Sequence, residues 1–416
     1  MADFEWLVLA GGSGSRSENP VLPKILQDVG GLRVIDLLLN ALAKTGSNTR
    51  VTFVLRHGKS EVQSYLENAD PDLNWRVHED LGVGPVEALA SAALEIESSI
   101  VGCILGDTAI RAPLDWFLHQ HLASERDASV VVRQSDHLID SDAFELDYQG
   151  NTIAFRGKQS KLGAPKGQLW GASGILFAKR DLATSLINTE PDIASALVRA
   201  IGAQQIRCIR SSFYHRDTGT PDRIASIRRD AERRSQSNHN ELFNSRRALF
   251  VDRDGTLMPD LPGGRKSLEL SEVDPKVART IAIAKSNGVP VFLATNQPAI
   301  AKGFIGFDDV YRVHNKLQEV LADLEGVVID DFIFCPHHPE LGHSGEIPRY
   351  KVSCGCRKPM YGMFLELAQL HKIDLSNSIL LGDSWSDEGA ADGMGMKFLN
   401  VLEYKDEQIT SLWCAK

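Results

Sequence analysis

The chain has 416 residues, too many for one ordinary hydrophobic core, so two domains are expected, with three allowed. Hydrophobic residues make up 43% and charged residues 24%, the usage of a globular protein. The balance of 45 Lys+Arg against 55 Asp+Glu, a formal net charge of -10, argues against a protein held on nucleic acid by a basic face, but leaves room for nucleotides and sugar phosphates, which a few local cations can hold. No apolar run approaches the ~18 residues of a membrane span. The opening MADFEWLVLAGG has no basic segment, so no secretory signal is expected and cytoplasm is the expected compartment. Of six cysteines, Cys335, Cys354 and Cys356 cluster, which suits a metal site in a reducing compartment better than a disulfide framework.

Short Val/Ile/Leu/Phe runs that end in Gly, Asp or Asn recur along the chain. The first set is Trp6–Ala10, Val51–Leu55, Val101–Leu105 and Ser129–Val132. The second is Ala248–Val251, Val289–Ala294, Asp331–Phe334 and Ser378–Leu381. Helical patterns lie between them, as at Arg33–Thr45, Pro85–Glu97 and Val310–Leu324. Alternating buried strands and helices predict α/β architecture with mainly parallel sheets, in which ligands bind beyond the carboxyl ends of the strands. Arg228–Arg247 reads as a polar linker, or a polar helix leading into one. The expected division is therefore 1–227, a linker over 228–246, and 247–416.

After the first strand comes LAGGSGSRSENPVLPKIL. Gly11, Gly12 and Gly14 leave backbone N–H groups open in a tight turn that can wrap a phosphate chain, and Arg16 and Lys24 supply cations. A dinucleotide fingerprint would need Gly at position 17, which is Ser17, and a Walker A loop ending at Gly58-Lys59-Ser60 would need Gly at position 53, which is Phe53.

This stretch resembles the LAGGxGxR and PK signature of sugar-1-phosphate nucleotidyltransferases. Leu81-Gly82-Val83-Gly84 resembles that family's turn beside the nucleobase, and Leu105-Gly106-Asp107 its strand-end metal aspartate. Lys158 is similar in position to the lysine that meets the sugar phosphate, Trp170–Phe177 to the following substrate-side strand, and Asp217 in DTGTP to the second metal ligand. The resemblance covers about residues 5–225 and implies a GT-A-like, Rossmann-like domain. In such a domain a sugar 1-phosphate attacks the α-phosphorus of an NTP and pyrophosphate leaves. Asp107 and Asp217 would hold Mg²⁺, while Arg16 and Lys24 would stabilise the triphosphate. Ser15 and Ser17 depart from the usual Thr and apolar residue, and Ile-Leu rather than Pro follows Pro23-Lys24. These departures are most similar to the uridylyltransferase-like branch; the base stays open among GTP, ATP and UTP.

In the second half, Asp252-Arg253-Asp254-Gly255-Thr256, Thr295-Asn296-Gln297, Arg357-Lys358 and Gly382-Asp383-Ser384-Trp385-Ser386-Asp387 close four successive segments. Acid, hydroxyl, base and acid at one sheet edge suit phosphomonoester cleavage. The order resembles the haloacid dehalogenase (HAD) superfamily. That resemblance implies Asp252 as nucleophile, Asp254 as acid and then base, and Mg²⁺ on Asp252, the Asp254 backbone carbonyl and Asp383. Thr295, Asn296 and Lys358 would bind phosphoryl oxygens, and Asp387 would orient Lys358 or a metal-bound water.

Cys335, His337, Cys354 and Cys356 form two ligand pairs around a sixteen-residue loop, the arithmetic of a closed structural Zn²⁺ site, with His338 a competing ligand out of register. With TNQPAIAKG, CPHHPE and CGCRKPMYGM, this half resembles D-glycero-D-manno-heptose 1,7-bisphosphate phosphatases and related histidinol-phosphate phosphatases over about residues 247–400. The resemblance implies Arg357 on the substrate, and no long insertion between DRDGT and TNQ implies no large cap. The two halves together imply consecutive steps toward an NDP-heptose. Action on another phosphorylated sugar, giving an NDP-hexose, is the alternative, as is one half reduced to a binding module. The expected partners are an NTP and phosphorylated sugars, with no nucleic acid and no membrane; oligomeric state is not indicated.

Overall fold

The computed structural model describes residues 3–404 apart from 13–21, 47–48, 70, 81, 83, 135–141, 158–163, 188–189, 191, 236–245, 262 and 268–271. Sixteen strands are assigned among the described residues: β1 (Phe4–Leu9), β2 (Arg50–Leu55), β3 (Asn74–Glu79), β4 (Ile100–Leu105), β5 (Thr108–Arg111), β6 (Ala128–Arg133), β7 (Ala143–Leu146), β8 (Thr152–Arg156), β9 (Gln168–Lys179), β10 (Ile206–Arg210), β11 (Tyr214–Asp217), β12 (Leu249–Val251), β13 (Val291–Asn296), β14 (Asp331–Cys335), β15 (Ile379–Gly382) and β16 (Lys397–Asn400).

The N-terminal sheet runs β10-β6-β9-β4-β1-β2-β3, with β7 joined to β9 and β8 to β7. β1 pairs in parallel with β2 and β4, whereas β9 pairs antiparallel with both β4 and β6. The apolar strands are buried on both faces, as their unbroken Val/Ile/Leu runs require: Trp6, Leu7 and Val8 are fully covered, and helices such as Val34–Leu42 and Pro85–Leu94 flank them. β5 and β11 form a separate antiparallel ribbon in which Thr108 faces Asp217, bringing two distant segments side by side. The helix Pro221–Ser235 then carries the chain into the polar stretch.

The C-terminal sheet is fully parallel, in the order β14-β13-β12-β15-β16. Order reverses at β12, so the crevice beyond β12, β13 and β15 is the ligand-binding edge that such a sheet provides. Phe250 and Phe292 fill one face with Phe364, and Leu249, Val251 and Leu293 fill the other with Val313 and Leu317 of the helix Phe307–Glu325. All eight strands read from sequence are present. β3, NWRVHE, lacks the apolar signal because it is a sheet edge with an alternating half-exposed pattern. Among the described residues no helix is long and apolar enough to cross a membrane.

Candidate active sites

β1 and β4 end at Gly11-Gly12 and Gly106-Asp107, and both turns line a cavity of ≈ 950 Å³. A Cβ on Gly11 would lie 2.7 Å from Asp80 Oδ2, so a side chain there would have to push that carboxylate aside. Lys24, on a short 3₁₀ turn, reaches Asp107 with Nζ–Oδ2 3.0 Å. Asp217 ends β11 and accepts from Gly219 N at 2.5 Å and from the Arg223 guanidinium. Thr218 N donates to the Asp107 carbonyl at 2.8 Å, so the two aspartates sit on adjoining turns of the same cavity. Gly82 also lines it. Gly14, Arg16 and Lys158, with Leu81 and Val83, lie outside the described residues.

Three participants in this cavity were not read from the sequence. Asp80 is buried and accepts from Gly82 N at 2.8 Å; Arg56 donates to the Gly82 carbonyl at 2.6 Å; Arg223 holds Asp217. Asp80 directly precedes the glycine turn, and Arg223 follows DTGTP by two residues, so each motif extended by a few positions contains them.

In the C-terminal half the chain leaves β12 into a turn closed by Gly255 N to the Met258 carbonyl (2.7 Å) and by Leu257 N and Met258 N to the Arg253 carbonyl. Gly255 has φ +84, and a Cβ would lie 2.3 Å from Asp383 Oδ2. Gly255→Ala is therefore expected to displace Asp383 and add about 1–2 kcal/mol of backbone strain. Phosphate release should fall at least tenfold while nucleotidyl transfer is retained, measured side by side on one preparation.

Asp252 is buried and accepts from Lys358 Nζ at 2.5 Å; Lys358 also meets Asp387 Oδ1 at 2.6 Å and the Ala294 carbonyl at 2.9 Å. Burial pushes the Asp252 carboxyl above its usual range, against the pull of Lys358. Burial by itself would lower the Lys358 ammonium, but Asp252 and Asp387 outweigh it and raise it. The other Asp387 oxygen caps the helix Trp385–Met394 through Ser384 N and Oγ, so the residue both orients Lys358 and starts the helix. One carboxylate oxygen each from Asp252, Asp383 and Asp387 lie within 4.8 Å of one another, close enough to share a divalent cation. Burial also raises the partly exposed Asp383.

The Asp254 carboxylate lies outside this cluster, in keeping with the expectation that only its backbone carbonyl meets the metal: Arg253 grips it, and Gln297 Nε2 donates to it at 2.7 Å. Asn296 was expected on phosphoryl oxygens; its side chain donates to the Lys358 carbonyl (3.1 Å) and accepts from Lys358 N (3.0 Å), which clamps the lysine backbone and leaves the second amide N–H to donate. Thr295 Oγ1 accepts from Gln297 at 2.9 Å and keeps its own proton to donate. Gln297 and Arg253 were read only as letters of TNQ and DRDGT.

Beside this edge, Cys335, His337, Cys354 and Cys356 converge. Sγ–Sγ separations are 3.5, 3.2 and 3.3 Å, and His337 Nδ1 lies 3.5 Å from Cys335 and 3.3 Å from Cys356. A centre among atoms so spaced is about 2 Å from each, close to Zn–N and slightly short of Zn–S bond lengths. Hydrogen bonding within the Cys335–Cys356 pair pulls the Cys356 thiol below its ordinary range and pushes Cys335 above its own, so the pair favours one thiolate, on Cys356. His338 is not in this cluster; it is buried with its main-chain N on the Tyr350 carbonyl. Arg357 follows Cys356 and donates to the His337 carbonyl at 3.4 Å, tying it to the same loop.

The chain thus carries an NTP-transferase domain and a HAD-like hydrolase domain. The MobA-like NTP transferase domain family matches residues 6–212, and the HAD-hydrolase-like family matches residues 355–408. The chain is 38% identical to the D-glycero-beta-D-manno-heptose-1,7-bisphosphate 7-phosphatase of Rhodopseudomonas palustris over 153 residues, 36% of this chain and 81% of that protein. It belongs to the family of D-glycero-D-manno-heptose-1,7-bisphosphate 7-phosphatases. Among solved structures, the D,D-heptose 1,7-bisphosphate phosphatase of B. bronchiseptica complexed with magnesium and phosphate is 31% identical, with a TM-score of 0.31 over 36% of this chain and 78% of that one. HddC from Yersinia pseudotuberculosis is 19% identical, with a TM-score of 0.44 over 54% of this chain and 97% of that one.

Proposed function

We infer that the chain catalyses two successive steps: removal of the 7-phosphate from a heptose 1,7-bisphosphate, and transfer of a nucleotidyl group from an NTP to the heptose 1-phosphate produced. The observation that carries this reading is the joint presence of the Asp252–Lys358–Asp383 edge and the Asp107/Asp217 cavity in a chain whose relatives are named for the heptose bisphosphate.

In the phosphatase half, Asp252 attacks phosphorus and the ester oxygen leaves with a proton from Asp254. Asp254 then takes a proton from the water that hydrolyses the aspartyl-phosphate. Lys358, fixed by Asp387 and by the Asn296 clamp, and Thr295 neutralise the phosphoryl oxygens; Arg357 meets the remainder of the substrate. Asp252 and Asp383, with the Asp254 carbonyl, would hold Mg²⁺, which supplies charge neutralisation at the phosphoryl group. In the other half the glycine turn, Arg16 and Lys24 grip the triphosphate, Lys158 the sugar phosphate, and Asp107 and Asp217 would hold a second Mg²⁺, which would supply charge neutralisation to the reacting phosphates. Both substrates are small metabolites, which suits a cytoplasmic enzyme.

Incubation with heptose 1,7-bisphosphate and each of GTP, ATP and UTP tests the reading. Orthophosphate, pyrophosphate and the mass of one NDP-heptose are expected; hexose phosphates turning over better than the heptose would remove the substrate assignment.

The cysteine cluster is read as a structural zinc clip for a loop with little apolar content. Metal analysis is expected to find about one Zn²⁺ per chain, and Cys354→Ser to lower the melting temperature of the phosphatase half, since binding energy at such a site is folding energy. An unchanged melting curve and no zinc would refute it.

A further inference from the structure

Arg253 lies between the two aspartates of the nucleophile turn, yet its side chain is only 1% exposed. Its Nε donates to both Asp254 oxygens, at 3.2 and 3.1 Å, and its NH2 to Oδ2 at 2.8 Å. The remaining nitrogen, NH1, lies 3.3 Å from His314 Nε2. A guanidinium has donors only, so His314 must be neutral and accept through Nε2, with its proton on Nδ1. His314 is itself buried and stacked on Phe332, with ring centroids 4.7 Å apart at 21°, which holds its ring plane beside Arg253.

His314 sits on the helix Phe307–Glu325, and the next residues along this helix grip the N-terminal half. Asn315 accepts from Leu169 N (3.1 Å) and Gln168 Nε2 (2.8 Å) and donates to the Gly167 carbonyl (3.1 Å). One turn on, Gln318 donates to Gln134 Oε1 at 3.0 Å. At the start of the helix, Phe307 packs against Tyr148 of the β7–β8 turn, with centroids 5.5 Å apart. Positions 307, 315 and 318 recur at helical spacing and form one stripe against the N-terminal sheet. Gln168 and Leu169 begin β9, whose Gly171–Leu176 segment lines the nucleotide cavity.

We propose that His314 is a positioning residue for the phosphatase acid: it fixes Arg253, which aims Asp254, and its helix, seated on its own sheet by Val313 and Leu317, is held in register by the N-terminal half as well, through Asn315 and Gln318. Resting on the phosphatase reading above, this makes the acid of one site depend on docking against the domain that carries the other. Removing the acceptor leaves Arg253 NH1 buried without its partner, and the guanidinium shifts to satisfy it, taking Asp254 with it.

A misplaced acid matters only for a leaving group that needs its proton. In the full chain, His314→Phe, which keeps the stacking ring, is expected to lower kcat/KM for heptose 1,7-bisphosphate roughly tenfold to a hundredfold, part of what a well-placed acid supplies. For p-nitrophenyl phosphate, whose leaving group is stable without protonation, the fall is expected to be under about threefold. His314→Gln, whose amide oxygen can accept from Arg253, should restore most of the loss, and Asn315→Leu should reproduce it in smaller measure. Parent-like melting curves of the same preparations report folded chain. Equal falls for the two esters, or none, in His314→Phe would overturn the proposal, and a silent Asn315→Leu would overturn the part assigned to the N-terminal half. Turnover of p-nitrophenyl phosphate by the parent, abolished in Asp252→Asn, separately tests the phosphatase reading.

Discussion

Asp252→Asn is expected to abolish phosphate release, by roughly 10⁴- to 10⁶-fold in kcat, and to leave nucleotidyl transfer at the parent rate. The reason is chemical. An amide at this position keeps the shape of the side chain and an oxygen that can accept from Lys358, but it cannot form the mixed anhydride with phosphorus. Burial and fold are expected to survive, because Lys358 retains Asp387 at 2.6 Å and the Ala294 carbonyl at 2.9 Å, so no ammonium is stranded in the interior. Product analysis separates the outcomes. The variant given heptose 1,7-bisphosphate should release neither orthophosphate nor pyrophosphate, since no acceptor forms. Given heptose 1-phosphate and an NTP, it should release pyrophosphate normally. Loss of transfer with the preformed acceptor, in protein that melts like the parent, would contradict two separate sites.

That separation was legible in the sequence because both sites are built at strand ends. A buried parallel strand announces itself by an unbroken apolar run, and the residue that stops the run is placed by topology at the ligand edge. Asp107, Asp252, Thr295 and Asp383 all follow from this logic, and the structure sets them at the tips of β4, β12, β13 and β15. The cysteine cluster was legible for another reason: four soft ligands at fixed spacing have few other uses.

What the sequence withheld was the partner of each group. Arg253 reads as the variable letter of a DxD pattern, and only burial shows that its charge is directed onto Asp254 rather than into solvent. Asn296 is a second case: a polar residue at a strand end suggests a ligand contact, and nothing local shows that its amide also clamps the backbone of Lys358. The stripe Phe307, Asn315 and Gln318 is ordinary amphipathic periodicity, and nothing local distinguishes a face against its own sheet from a face against the other domain. Likewise β5 and β11 are four residues each and about a hundred apart, so the ribbon that brings Thr108 opposite Asp217 leaves no local trace.

That ribbon underlies the second large effect. Asp107→Ala and Asp217→Ala are each expected to lower kcat for nucleotidyl transfer on the order of 10³-fold, with phosphate release unchanged. The two carboxylates are the acidic groups at the turns joined by Thr218 N to the Asp107 carbonyl, and each already faces a cation, Lys24 and Arg223. Removing either carboxylate leaves its cation free to meet the triphosphate, so ground-state binding need not suffer; KM for the NTP is expected to change less than about tenfold while kcat falls. A pure loss of NTP affinity, with kcat intact at saturation, would assign these aspartates to binding and not to the transfer step. Because both would hold the same ion, the double variant is expected to be barely worse than either single one. Losses that multiply, about 10³ on 10³, would instead mean that Asp107 and Asp217 act independently, and the shared-cation arrangement would have to be given up.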